Sequence, residues 1–235
     1  MKNLGIIAFV MLFCMSCGTR NNEIELSDGP RRAEILFLGH DNTHHNSEKL
    51  MPILARHLFQ KGINLTYTTD LNDLNEGKLR LYDGLIIYSN HETISEEQEK
   101  ALRNFVEGGK ALIPLHSGSF CFQNSDWYIK TVGGQFSSHG SGEFSSNITA
   151  PSHPAMEGIT ACSTGNEPYV HSQLNKDMTI LMERVEDGKK DPYTWVRKQG
   201  KGRVFYTAYG HDERTWNQPE FQELVANGIL WAVGD

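Results

Sequence analysis

Ten histidines in 235 residues are the side chains here whose type and placement could do chemistry. An imidazole ligates a metal through a neutral ring nitrogen, or moves a proton near neutral pH. His116 is the most pointed of them. It follows the apolar run Ala111-Leu-Ile-Pro-Leu115, introduced by Gly108-Gly109, which reads as a buried parallel strand. Open α/β sheets place their ligands beyond the carboxyl ends of such strands. Hydrolases of this general build carry Ser or Cys between glycines at that spot. An imidazole there, followed by Ser117-Gly118-Ser119, points instead to metal binding or proton transfer. The alternative is a packed, hydrogen-bonded histidine.

Further histidines could reach the same rim. His45 lies in the polar loop 40–46, with His40 and His44 behind it, and His139 and His211 follow expected strands. Glu167 is the carboxylate best suited to join them as base or ligand, although a buried Glu paired with Arg203 would look the same in sequence. Histidines with one carboxylate, spread over loops, suit a divalent transition ion such as zinc better than calcium. The expected ligand set is His45, His116, His139 and His211, with His116 and Glu167 as the catalytic pair. The compact helical motif His-Glu-x-x-His is absent, so a metal site needs these loops to meet in space. His153, before Pro154, reads as a turn residue, and His57 and His91 read as helix-face and loop residues. His171 has no evident place.

The elements that must position these groups alternate. Glu34–Gly39 is a strand, and Leu50, Ile53, Leu54, Leu58 and Phe59 fall at helical spacing after Ser47 as a cap. Asn64–Thr68 is a second strand and Asp70–Lys78 a linker. Tyr82–Tyr88 is a third strand, and Thr93–Val106 is a helix capped by Ser95 with acids in its first turn. Lys110–Leu115 is the fourth strand, with Cys121 expected inside a following helix. Short alternating connections imply parallel strands joined by right-handed crossovers. The second half is less regular. It has a helix over Trp127–Val132, a hairpin over Gly134–Thr149, strands at Met178–Arg184, Tyr193–Arg197 and Arg203–Ala208, and a closing helix over Pro219–Val233. Gly200-Lys-Gly202 reads as the turn between the last two strands.

Composition narrows the classes. At 38% hydrophobic and 22% charged, the chain supports one domain with an adequate core. A net charge of −7, with no basic cluster beyond Arg31-Arg32 and Lys189-Lys190, argues against a nucleic-acid partner. Residues 1–17 read as an export signal: Lys2, an apolar core Leu4–Phe13 too short to span a bilayer, then Ser16-Cys17-Gly18. That ending resembles a bacterial lipoprotein cleavage box, although Cys14 stands where Leu is usual; an ordinary cleaved signal peptide is the alternative. The expectation is a periplasmic or cell-surface lipoprotein whose only membrane contact is a lipid on Cys17. Residues 18–32 would be a tether and 33–235 the folded domain. Cys121 and Cys162 could pair in an oxidising compartment or serve as small buried hydrophobes.

Taken in order, the motifs resemble the trehalose-utilisation (ThuA-like) family over roughly residues 35–232. They are His45-x-Ser47, Leu115-His116, Val132-Gly-Gly-Gln-Phe-Ser-Ser-His139, His153-Pro154, Glu167-x-Tyr169, Trp195, and Gly200-Lys-Gly-Arg-Val-Phe-Tyr-Thr-Ala-Tyr-Gly-His211. The resemblance implies a flavodoxin-like three-layer sandwich, related to class I glutamine amidotransferases. The sheet would be mainly parallel, with β-hairpin strands added in the C-terminal half. It does not imply the amidotransferase reaction, because the elbow carries His116 rather than Cys. Family members are associated with the use of trehalose and related disaccharides, often beside dehydrogenases that make 3-keto sugars. The chain departs from the family in Asp191-Pro192 for His-Pro and Asn166-Glu167 for Asp-Glu; Asp191 could still bind a cation or accept a hydrogen bond. With Trp127 and Tyr169 it forms the expected substrate-binding set, the two aromatic rings offering flat faces to a sugar, whereas Trp195 and Trp216 suit the core. The expected function is metal-assisted proton abstraction from an oxidised (3-keto) glycoside or disaccharide, leading to cleavage or isomerisation. A sugar dehydrogenase would be the functional partner, and no nucleotide cofactor is expected. A non-catalytic carbohydrate-binding lipoprotein is the alternative.

Overall fold

The computed structural model describes residues 31–42, 44–142, 144–160, 162 and 167–234. Its continuous apolar runs form the centre of the sheet. β1 (Ala33–Gly39), β3 (Gly84–Tyr88) and β4 (Ala111–Pro114) are almost wholly buried, as strands covered on both faces must be. The edge strand β2 (Ile63–Thr68) is half exposed. The later strands are β5 (Gln135–His139), β6 (Ser145–Ile148), β7 (Tyr169–Ser172), β8 (Thr179–Glu186), β9 (Lys189–Gln199) and β10 (Gly202–Thr207). The main sheet runs β2-β1-β3-β4-β10-β9-β8-β6. It is parallel from β2 to β10 and antiparallel from there to β6.

The helices are α1 (Ser47–Gln60), α2 (Glu76–Leu79), α3 (Glu96–Glu107), α4 (Asp126–Val132), α5 (Glu213–Trp216) and α6 (Pro219–Val233). Right-handed crossovers in opposite directions from the centre put α1 and α3 on opposite faces. α6 lies beside α1 and packs on β4 and β10. The result is the flavodoxin-like three-layer sandwich expected from the motifs.

Several local expectations are corrected. Asn46, not Ser47, caps α1, its side chain accepting from the Lys49 amide; the Ser47 hydroxyl is taken by the His40 amide and Tyr67. The segment 70–78 holds a 3₁₀ turn and α2, each started by an Asx cap, Asp70 and Asn75. Cys121 lies between a 3₁₀ turn and α4, not in a helix; it and Cys162 are free buried thiols. β5 and β6 do not form a hairpin. β6 joins the edge of the main sheet on β8, while β5 pairs with β7 in a separate two-stranded sheet. The expected signal sequence and nearly all of the tether lie outside the described residues. Arg31 and Arg32 already bind the domain, at Asp83 and Asn64.

Candidate functional site

The loops after β1, β3, β4 and β10 and the segment entering β7 meet at one end of the sheet. His116 follows β4 through Leu115 and opens a 3₁₀ turn with φ of +44°, a left-handed conformation that costs a non-glycine residue about 1–3 kcal/mol. The turn is tight: a Cβ on Gly118 would stand 2.6 Å from the Ile87 carbonyl oxygen. Two hydroxyls hold it, Tyr206 Oη at 3.1 Å and Ser119 Oγ at 3.2 Å from the His116 carbonyl. His116 Nδ1 lies 2.7 Å from the Ala208 carbonyl. A carbonyl can only accept, so Nδ1 carries the proton and Nε2 the lone pair.

The same logic fixes His45. Asn90 Oδ1 receives Asn42 Nδ2 at 3.2 Å and His45 Nδ1 at 2.7 Å, leaving the buried His45 Nε2 as a lone pair without a hydrogen-bond partner among the described residues. Three imidazoles face one another, with ring centroids at 5.1 Å (His45–His116), 5.6 Å (His116–His211) and 5.7 Å (His45–His211). Glu167 reaches across them. Its Oε2 is 3.4 Å from His116 Nε2, and its Oε1 is 3.3 Å from His211 Nε2 and 3.8 Å from His139 Nε2.

Burial sets the protonation states. It lowers His45 to about 3, with His116 and His211 pushing the same way against the Asn90 bond. His211 is also lowered, by burial and then by His116. For Glu167 burial works upward, but hydrogen bonding to His116 and the fields of His211, His116 and His139, all exerted by the protonated rings, outweigh it and hold the carboxyl near 2. At neutral pH His45 and His211 therefore present uncharged imidazole to an ionised Glu167 carboxylate. With its Nδ1 proton committed to Ala208, His116 can reach Glu167 only through Nε2. Their 3.4 Å approach becomes a hydrogen bond only in the imidazolium form.

The donor set fits a transition ion. Ligand atoms of His45, Glu167 and His211 lie within 4.8 Å of one another, two neutral nitrogens and one carboxylate oxygen of the kind zinc takes. The orphaned Nε2 of His45, aimed into the cluster, is the observation that favours a cation there. His116 stands beside this trio, and His139, about half exposed, at its outer edge.

The structure brings together His45, His116, Glu167, His139 and His211, and stacks Tyr169 on His116 at 3.9 Å. Tyr169 is buried, so that ring face is occupied by imidazole. Trp127 and Asp191 are not in the cluster. Trp127 donates to Glu107 under the Arg103 guanidinium, and Asp191 is bonded to Arg184 at 2.6 Å. Arg203 binds the Trp231 carbonyl, not Glu167. His57 pairs with Glu223, and His153 caps its own turn. His91 stacks on His40 at 4.2 Å. Sequence reasoning missed Asn90, Ser119, Tyr206 and His171. Asn90 was within reach of it: it follows β3 at the same sheet end as His116 follows β4.

A family model described as trehalose utilisation (ThuA) matches residues 34–232. Solved ThuA-like proteins from Bacteroides uniformis and Parabacteroides merdae are similar, with a TM-score of 0.71 each, at 18% and 15% identity. The matches cover 87% of this chain in both cases, and 92% and 91% of those chains. A cytoplasmic protein from Salmonella typhimurium follows at TM-score 0.63 and 12% identity, covering 84% of this chain and 98% of that one. At such identities the likeness is one of fold. A comparison with curated proteins finds no match.

Proposed function

The chain belongs to the trehalose-utilisation (ThuA) family, and from that premise we propose that it is a carbohydrate-processing enzyme acting on an oxidised, 3-keto glycoside or disaccharide. The observation that carries this reading is the His116–Glu167 pair at the sheet's ligand-binding end, with the imidazole tautomer fixed by Ala208. A ring ketone acidifies the neighbouring C–H, and His116 Nε2 is the lone pair poised to take that proton. Once protonated, His116 is held from both sides, by the Ala208 carbonyl on Nδ1–H and by Glu167 Oε2 facing Nε2–H. The electron pair left on carbon then expels the group on the adjacent anomeric carbon, or is reprotonated as the ketone moves. His45, Glu167 and His211 are the residues that would hold a divalent ion, zinc foremost. Such an ion supplies positive charge that eases ionisation of the C–H. A sugar dehydrogenase would furnish the ketone, and export with a lipid on Cys17 would place the reaction outside the cytoplasm.

The test follows the C–H itself. Incubated in D2O with 3-keto-trehalose, the protein should exchange the hydrogen beside the ketone and release glucose or an isomer, while unoxidised trehalose stays unchanged. His116→Ala should abolish exchange with the fold intact. Keto sugars bound and returned without exchange would contradict the enzyme reading and make the protein a carbohydrate-binding lipoprotein.

A further inference from the structure

Tyr169 and His171, two residues apart, share a face of β7, and Glu167 stands two residues ahead of Tyr169 in the segment entering the strand. Glu167 enters the histidine cluster and Tyr169 stacks on the His116 ring. His171 Nε2 lies 2.8 Å from Tyr206 Oη and 3.3 Å from Ser119 Oγ, and those hydroxyls are 2.9 Å apart. Both also reach the His116 carbonyl. The two-stranded sheet that carries His139, and that Glu167 leads into, is thus tied, through one imidazole, to β10 and to the strained turn of His116.

Counting protons assigns the imidazole its part. The carbonyl of His116 only accepts, and each hydroxyl has one proton to give. If His171 Nε2 accepted, one hydroxyl would turn to it and the strained carbonyl would lose a donor. If His171 Nε2 donates to Tyr206 Oη, both hydroxyl protons stay free for the carbonyl and for the 2.9 Å contact between the hydroxyls, so the network holds one more hydrogen bond than it could with an accepting ring. Burial keeps the ring uncharged, pushing it down to about 3. Its edge packs on Trp195 at 5.1 Å.

We propose that His171, through Tyr206 and Ser119, is a positioning residue that locks the left-handed turn of His116 and sets β7, and with it the Glu167 that leads into that strand, at its working distance. The step rests on the functional reading only in so far as Glu167 and His116 are the reacting pair. Shells of this kind govern ligand orientation, and their loss typically costs 10–100-fold in metal affinity.

Two measurements on one variant set test it. In metal-free protein the imidazole ¹⁵N shifts of His116 report its tautomer. Wild type should show the Nδ1-protonated form alone, and His171→Phe and Tyr206→Phe, which keep the core filled, should show a mixture. His171→Gln, whose Nε2 can donate near the same place, should restore the single form. Cobalt(II) titration should show at least 10-fold weaker binding in both Phe variants and recovery in His171→Gln. An unchanged His116 tautomer in folded His171→Phe overturns the proposal. If wild type takes no cobalt while the tautomer responds, the metal reading fails and the positioning role stands.

Discussion

At the scale of residues, the histidines divide by the partner of their second nitrogen. His116 and His45 each spend Nδ1–H on an oxygen, Ala208 O and Asn90 Oδ1, and present Nε2 to the cluster. His116→Asn, which tolerates the left-handed backbone better than most residues, should fold and lose turnover by roughly 10²–10⁴-fold, the usual worth of a positioned base; steady-state rates on a keto sugar check this. Burial of His171 has a consequence for acid stability. Its folded pKa near 3 lies below the ordinary value near 6.5, so between those values the unfolded chain binds more protons than the native one. Its contribution to stability is therefore complete above pH 6.5 and shrinks as pH falls toward 3. Urea unfolding should show wild type losing more stability between pH 6.5 and 4 than His171→Phe does. The residue types were legible in sequence, their convergence less so. His45, His116, His139 and His211 followed from strand ends and Glu167 from its place beside Tyr169, but Trp127 was chosen for its flat ring and Asp191 for its place in the family pattern, and both are engaged elsewhere, by Glu107 and by Arg184 on the paired strand β8. His171 escaped because its role is set by hydroxyls 52 and 35 residues away.

At the scale of elements, signals that are local in the chain were read well and pairing between distant strands was not. Ser95 caps α3 in a full capping box with Gln98, as its first-turn acids suggested; Ser95→Ala should cost about 1 kcal/mol, measurable by denaturation. The turn Gly200-Lys-Gly202 joins β9 to β10 as expected and packs on the end of α3. A Cβ on Gly202 would strike the Val106 and Lys110 carbonyls. Gly202→Ala should destabilise by about 1–3 kcal/mol and, because β10 carries Tyr206 and leads to Ala208, should weaken activity as well. The segment 134–149 alternates like a hairpin, yet its strands separate because β5 finds β7 and β6 finds β8. Alternation fixes which side chains share a face, but not which strand lies alongside.

At the scale of the molecule, the parallel half supplies a rigid sheet end and the second half supplies the carboxylate. α/β alternation and apolar runs made the first legible; the second depends on a small separate sheet whose pairing has no short-range signature. Mass spectrometry of protein from a bacterial membrane fraction should find a diacylglycerol-modified Cys17 as the mature N-terminus, and Cys17→Ser should release the protein from that fraction. The central claim is that His45, Glu167 and His211 hold a transition ion while His116 beside them acts as the base. Elemental analysis tests it most directly, on protein purified without tag histidines or chelators, alongside its His45→Ala, His211→Ala and His116→Asn variants. The expected result is close to one zinc or similar ion per chain in wild type and His116→Asn, and a marked loss in the other two. No metal in any sample, and none taken up on titration with zinc, would contradict it.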